Sequence, residues 1–329
     1  MLTFIVRRCV LAIPTLIGIS IVSFIIMQLP PGDFLTSYAA TLSQQGEGIA
    51  AEQLEQLRQV YGLGDPIYVQ YWKWISAIVL HGDFGLSLNW RLPVSQLLWE
   101  RLGWTVSLTA LTIVVSYMIA IPIGVYSATH QYSKFDNFFS SLGFLGLGIP
   151  DFTVALAILW FAYAYFGADL AGLFSPEYRE QPWSLAKVMD LVSHLWLPIL
   201  VLAWHELASL QRVMRANLLD ELHKPYVMSA RAGGLAENQV IWEYPVRVAL
   251  NPFVSAIGFV LPELISRATI VGIVLSLPMT GPLYVNALQS QDMYLAGALM
   301  LIISALTIVG ILISDIMLAW LDPRIRYGR

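Results

Sequence analysis

Six stretches of the chain are almost wholly apolar and long, and polar connections separate them. They cover residues 9–29, 104–128, 138–166, 191–210, 252–277 and 295–321. A hydrocarbon layer about 30 Å thick is crossed by roughly 20 helical residues. A strand facing lipid would leave its amide groups unpaired, so each run is predicted to be a helix. The third run is too long for a straight perpendicular span, and Pro150 inside it predicts a kink, with tilt absorbing the remaining length. The first run follows Arg7 and Arg8 like a secretory leader, but it exceeds the usual leader length and no small-x-small cleavage site follows it. It is read as a retained span.

The connections differ in length and charge. With the N-terminus inside, eleven basic residues fall on the cytoplasmic side: Arg7, Arg8, Lys134, Arg212, Arg215, Lys224, Arg231, Arg247, Arg324, Arg326 and Arg329. Six fall outside: Arg58, Lys73, Arg91, Arg101, Arg179 and Lys187. The bias predicts that both termini are cytoplasmic. Residues 1–29 then form an N-terminal span, 30–101 an extracytoplasmic cap segment, and 102–329 a core of five spans. In the cap, Leu54, Leu57 and Tyr61 recur at helical spacing before Gly62, and residues 67–80 carry Tyr68, Tyr71, Trp72 and Trp74. That segment either receives a soluble partner or packs on its own residues; the pattern suits both.

The connection 217–251 is the most informative. A bundle needs a few residues to turn, and about thirty are spent here. Pro225 restricts the residue before it, and Val227, Ala230 and Gly234 follow at spacings of three and four, as if on one helical face. Residues 237–242 are predicted to form a second short helix, and Asn251-Pro252 to cap and open the fifth span. Short helices across the cytoplasmic face suit docking to a separate protein that pushes on them. The bland reading is a solvated basic connection.

Residues 226–235, Tyr-Val-Met-Ser-Ala-Arg-Ala-Gly-Gly-Leu, resemble the loop of binding-protein-dependent ABC importer permeases in the peptide/nickel branch. The resemblance runs the length of the chain: Arg7-Arg8, Pro31-Gly32-Asp33, Tyr61-Gly62-Leu63-Gly64-Asp65-Pro66, Gly82-Asp83-Phe84-Gly85-Leu86-Ser87 and Leu321-Asp322-Pro323-Arg324-Ile325-Arg326 occur in the family's order. It implies an all-α polytopic membrane protein of the type I importer fold, with about six spans and a small extracytoplasmic cap between the first two. It also implies a bacterial or archaeal inner-membrane location. The implied partners are a second, similar permease (most often a different chain), two ATPase subunits, an extracytoplasmic solute-binding protein and membrane lipid. ATP and Mg would be bound by the ATPases and no cofactor by this chain. The ATPase-docking residues carried over are Tyr226, Val227, Ala230, Arg231, Gly234 and Leu235. Met228 stands where the older consensus has glutamate, Ala236 replaces a frequent capping serine, and Tyr244-Pro245-Val246-Arg247 departs from the family's Ile-x-Leu-Pro.

Charges within the apolar runs need a reason, since each costs about 2.5–3.5 kcal/mol at a helix centre. Glu263 and Arg267 lie four apart and can pair on one helix face; with Asp151 they are candidates for a solute path. Glu206 and His205 read as boundary or interior residues. Gly272 occupies a position where the family often has an acid, which makes an uncharged solute such as an oligosaccharide a rival to a peptide. The aromatics Trp160, Phe161, Tyr163, Tyr165 and Phe166 could stack on sugar rings, though an interfacial belt explains them more simply. Gly143, Gly146, Gly148, Ala155 and Ala157 give the third run a small-residue surface for close helix packing.

Composition agrees with a membrane protein. Hydrophobic residues make up 57% of the 329, charged residues 12%, and the mean hydropathy is +0.66. So few charges could not clothe a soluble protein of this size. The formal charge of −4 is scattered, and no basic face invites nucleic acid. The single cysteine, Cys9, is expected as a small core residue. No GxxxxGK[ST] loop, HExxH pair or nucleophile elbow occurs, so the chain is read as no enzyme. The alternative transporter class is an ion-coupled carrier using Glu263, Arg267 and Asp151.

Overall fold

The computed structural model describes residues 2–28, 56, 64–87 and 89–321. Leu54, Leu57, Tyr61 and Gly62, with the closing motif from Asp322, lie outside the described residues. Helices dominate: α1 (Leu2–Gln28), α2 (Ile67–Ser76), α3 (Val94–Thr129), α4 (Lys134–Gly148), α5 (Asp151–Phe166), α6 (Leu185–Leu222), α7 (Pro225–Ala232), α8 (Glu237–Glu243), α9 (Pro245–Ala249), α10 (Asn251–Val274), α11 (Thr280–Gln289) and α12 (Met293–Leu321). Among the described residues, four helices are long and apolar enough to cross a membrane, within α1, α3, α6 and α12. The pair α4–α5 makes a fifth if its two arms count as one span. The 24-residue α10, about 36 Å long, coincides with the fifth apolar run.

Two units emerge. The first comprises Met1–Trp104 with Met279–Val309. In it, α2 lies on α1: the Ser20 and Tyr71 hydroxyls are 2.8 Å apart, and Phe24 meets the Tyr71 ring edge-on at 5.6 Å and Trp74 at 5.7 Å. The aromatic stretch thus packs partly on its own chain, while Tyr68 and Trp72 remain exposed. The strands β1 (Leu86–Ser87) and β2 (Leu92–Pro93) pair antiparallel, Leu86 opposite Pro93. Asp292 ties this hairpin down, accepting from the Ser87 hydroxyl at 2.5 Å, and also accepts the Leu295 amide at 3.3 Å in the first turn of α12. Val94, Leu97, Leu98, Leu283, Leu295 and Leu299 close the core beneath it.

The second unit comprises Thr105–Pro278 with Gly310–Arg329. Its spine is α6, which continues twelve residues past the apolar run predicted to end at Leu210. Polar residues enter the sequence there, but Leu210, Met214, Leu218 and Leu222 keep one buried stripe at helical spacing. That stripe packs with Val246 and Ala249 of α9 and Phe253 of α10. Glycines let helices close on α6: a Cβ at Gly124 would come 2.5 Å from the Met214 Cβ, and one at Gly146 2.8 Å from the Ala208 Cβ. Ala155 is also buried, whereas Gly148 meets nothing within 4 Å and Ala157 is exposed, so the small-residue surface is only partly used. Asp136 locks α4 to α6 by accepting two hydrogen bonds from Arg215, both 2.9 Å.

Three expectations change. The third run is not a gently kinked span, because α4 and α5 meet at 102°. Ile149 is extended (φ −105°, ψ 120°), as the residue before a proline prefers, and Pro150, at the cap position of α5, has no amide to continue the ladder. Cys9 is exposed rather than in a core. Asn251 is the first residue of α10, with Leu250 at the cap position, a shift of one residue.

Candidate functional site

The connection after α6 folds into three short helices. Lys224 is extended (φ −71°, ψ 147°) ahead of Pro225, which opens α7 where its missing amide is not needed. The Tyr226 hydroxyl donates to Glu221 Oε2 at 2.5 Å, tying α7 to the end of α6. Burial, and next the bond to Glu221, push the Tyr226 phenol above its ordinary pKa. The amide of Gly233 bonds to the Ser229 carbonyl and that of Gly234 to the Arg231 carbonyl, both at 3.0 Å. Gly234 is left-handed (φ +82°), which stops the helix and turns the chain. Ala236 offers α8 no side-chain cap. Arg231 instead crosses the turn to Glu237, and that hydrogen bond holds the Glu237 carboxyl below its usual range.

Burial sorts the predicted docking residues. Val227, Val240 and Val246 are turned inward and fix the connection to its own unit. Val227 is thus buried against its own unit. Ala230 is half-buried, while Tyr226, Arg231, Gly234 and Leu235 are exposed. Gly234 lies beyond the end of α7, so Val227, Ala230 and Gly234 do not share one helical face as their spacing suggested. Two exposed side chains went unremarked as contacts: Met228, 62% exposed, and Trp242, 44% exposed. Both are large apolar groups turned outward from a segment rich in charge. Trp242, the one aromatic residue in 237–243, was the signal available in the sequence.

Within the spans, Arg267 of α10 gathers three carboxylates. Its Nη1 is 3.2 Å from Asp151 Oδ2 at the start of α5, and its Nη2 is 3.3 Å from Glu206 Oε2 on α6. Its Nε is 3.9 Å from Glu263 Oε1, beyond hydrogen-bond reach. The pair predicted from i,i+4 spacing is thus the loosest of the three. Glu206, read as a boundary residue, is buried and contributes a hydrogen bond. The aromatics at the end of α5 are exposed and stack edge-on among themselves. Among the described residues no group of three His, Cys, Asp or Glu is arranged to hold a metal ion.

Comparison with known proteins accounts for these features together. The chain is 37% identical to the oligopeptide transport system permease protein AppB of Bacillus subtilis over 99% of this chain and 100% of that protein. It is 30% identical to the dipeptide transport system permease protein DppB of Escherichia coli K12 over the full length of both. Its fold is that of the permease in the inward-facing MetNI methionine ABC transporter, with a TM-score of 0.53 at 16% identity over 70% of this chain and 96% of that one. The family model for the N-terminal part of binding-protein-dependent transport membrane components matches residues 1–109. The model for the inner membrane component itself matches residues 120–327. A multi-pass helical protein is what such a component requires: the chain belongs to the binding-protein-dependent transport system inner membrane components, the permease subunits of ABC importers.

Proposed function

We propose that this permease imports peptides, that it works beside a second permease chain, two ATPase subunits and an extracytoplasmic binding protein, and that α7–α8 is the surface on which an ATPase pushes. Both termini then lie in the cytoplasm of the cell whose inner membrane holds it. The reading rests chiefly on one observation: the connection is pinned inward through Val227, Val240 and Val246 while Met228, Leu235 and Trp242 are turned outward around Gly234. Such an element can take a push from outside and pass it to α6 and α10, with which α9 packs. The side chains carried over as docking residues that suit this role are Tyr226, Ala230, Arg231, Gly234 and Leu235. A peptide is favoured over a sugar because full-length relatives are named as oligopeptide and dipeptide permeases. Family membership likewise favours ATP-driven transport over the ion-coupled alternative.

The test is cysteine cross-linking in the assembled transporter. Met228→Cys and Trp242→Cys should each cross-link to the ATPase subunit, with a yield that changes when ATP is bound. Gly234→Val should insert normally and abolish uptake. Absence of any cross-link from either position in a transporter competent for ATP-driven uptake removes the docking assignment.

A further inference from the structure

Around Arg267 three carboxyl groups face one guanidinium. Asp151 and Glu206 are both more than nine-tenths buried, and Oδ1 of Asp151 has no hydrogen-bond partner among the described residues. Glu263 differs. It sits midway along the 24 residues of α10, yet its side chain is 56% exposed. Acyl chains are a poor neighbour for a carboxylate at that depth, so this face of α10 looks onto water or another protein.

We infer that Glu263, backed by Asp151 and Glu206, is a station on the solute route that accepts a cationic group, the ammonium of a lysine side chain or of a free amino terminus. This rests on the peptide-importer reading above. Stoichiometry makes the exchange feasible. Glu263 is held loosely, 3.9 Å from Nε, and can turn to an incoming ammonium without leaving the guanidinium unpaired. Asp151 and Glu206, at 3.2 and 3.3 Å, continue to neutralise it.

The experiment uses the assembled transporter, with its ATPases and binding protein, in proteoliposomes. Two peptides differing only by lysine or norleucine at one position are supplied at concentrations that saturate the binding protein. Glu263→Gln should lower the ratio of lysine-peptide to norleucine-peptide uptake roughly three- to tenfold, the effect of one partly screened charge pair. Glu263→Asp should restore most of the ratio. An unchanged ratio overturns the proposal, whether uptake of both peptides persists or falls equally, since a packing role alone would not discriminate charge. If the unsubstituted transporter imports neither peptide, the proposal falls together with the peptide-importer reading.

Discussion

Arg231 holds Glu237 across the turn at Gly234, with Nη2 2.7 Å from Oε1 and Nε 3.1 Å from Oε2. The contact does for α8 what a capping side chain at Ala236 cannot, placing a negative charge in the first turn and fixing the angle between two very short helices. Neither helix is long enough to be stable alone in water, so the ion pair and the inward valines carry the arrangement.

Acid should loosen this turn. Because Glu237 titrates below its usual range in the folded loop, its contribution is complete above the unfolded glutamate value of about 4.3 and is lost as pH falls through the lower folded value. A spin label at Met228→Cys should keep constant mobility from about pH 7 to about pH 5 and become mobile below about pH 4. With Glu237→Gln it should be mobile throughout. Mobility that rises already near neutrality would contradict the assignment.

At Gly234 the demand is on the backbone alone. No atom lies within 4 Å of a Cβ built there, yet φ is +82°. Left-handed geometry costs a non-glycine residue about 1–2 kcal/mol, and asparagine less. Uptake should therefore fall in the order glycine, asparagine, alanine, valine. Equal activity of the alanine and valine forms would show that strain is not what matters.

Helix approach gives a sharper contrast. Gly124→Ala drives a methyl group against Met214 and should lower the melting temperature of the detergent-solubilised protein by an amount corresponding to about 1–3 kcal/mol. Gly148→Ala, with open space around it, should leave melting unchanged. Similar melting of both variants would mean that the tight approach of α3 to α6 is not maintained in solution.

Removing the hub cation should be costly. Arg267→Met leaves Asp151 and Glu206 buried without a counter-charge, a loss of about 3–5 kcal/mol read as a much lower melting temperature or failure to accumulate. Adding Asp151→Asn and Glu206→Gln should recover part of it. No recovery would place the damage in lost packing instead.

In the first unit, Asp292→Asn keeps an acceptor for the Leu295 amide but weakens the charged bond from Ser87, and should destabilise by about 1 kcal/mol. Asp292→Ala removes both and should cost about 2–3 kcal/mol. Proteolysis rates at the β1–β2 hairpin would measure the difference, and equal rates for the two variants would deny the hairpin its tie.

The spans were legible because lipid imposes one solution on an apolar run, and the folded connection after α6 because about thirty residues are more than a mere turn needs. What escaped notice depends on tertiary neighbours. Asp151 and Glu206 stand on α5 and α6, far in sequence from Arg267 on α10, and no local period links them. Asp151 stood among the candidates, but only the i,i+4 pairing with Glu263 could be read from spacing, and it proved the loosest. Val227 is buried, which spacing could not tell, because it gives a face but not which way that face turns. The extension of α6 beyond Leu210 was hidden since a buried stripe on a partly polar helix leaves no long apolar window.

The corner between Gly148 and Asp151 constrains what can surround it. Breaking the ladder there leaves the final carbonyls of α4 and the leading amides of α5 without helical partners. Hydrocarbon offers such groups nothing, so solvent or polypeptide has to reach this elbow at whatever depth it lies. At any depth within the bilayer, water or protein must stand in for lipid beside Asp151, the first residue of α5.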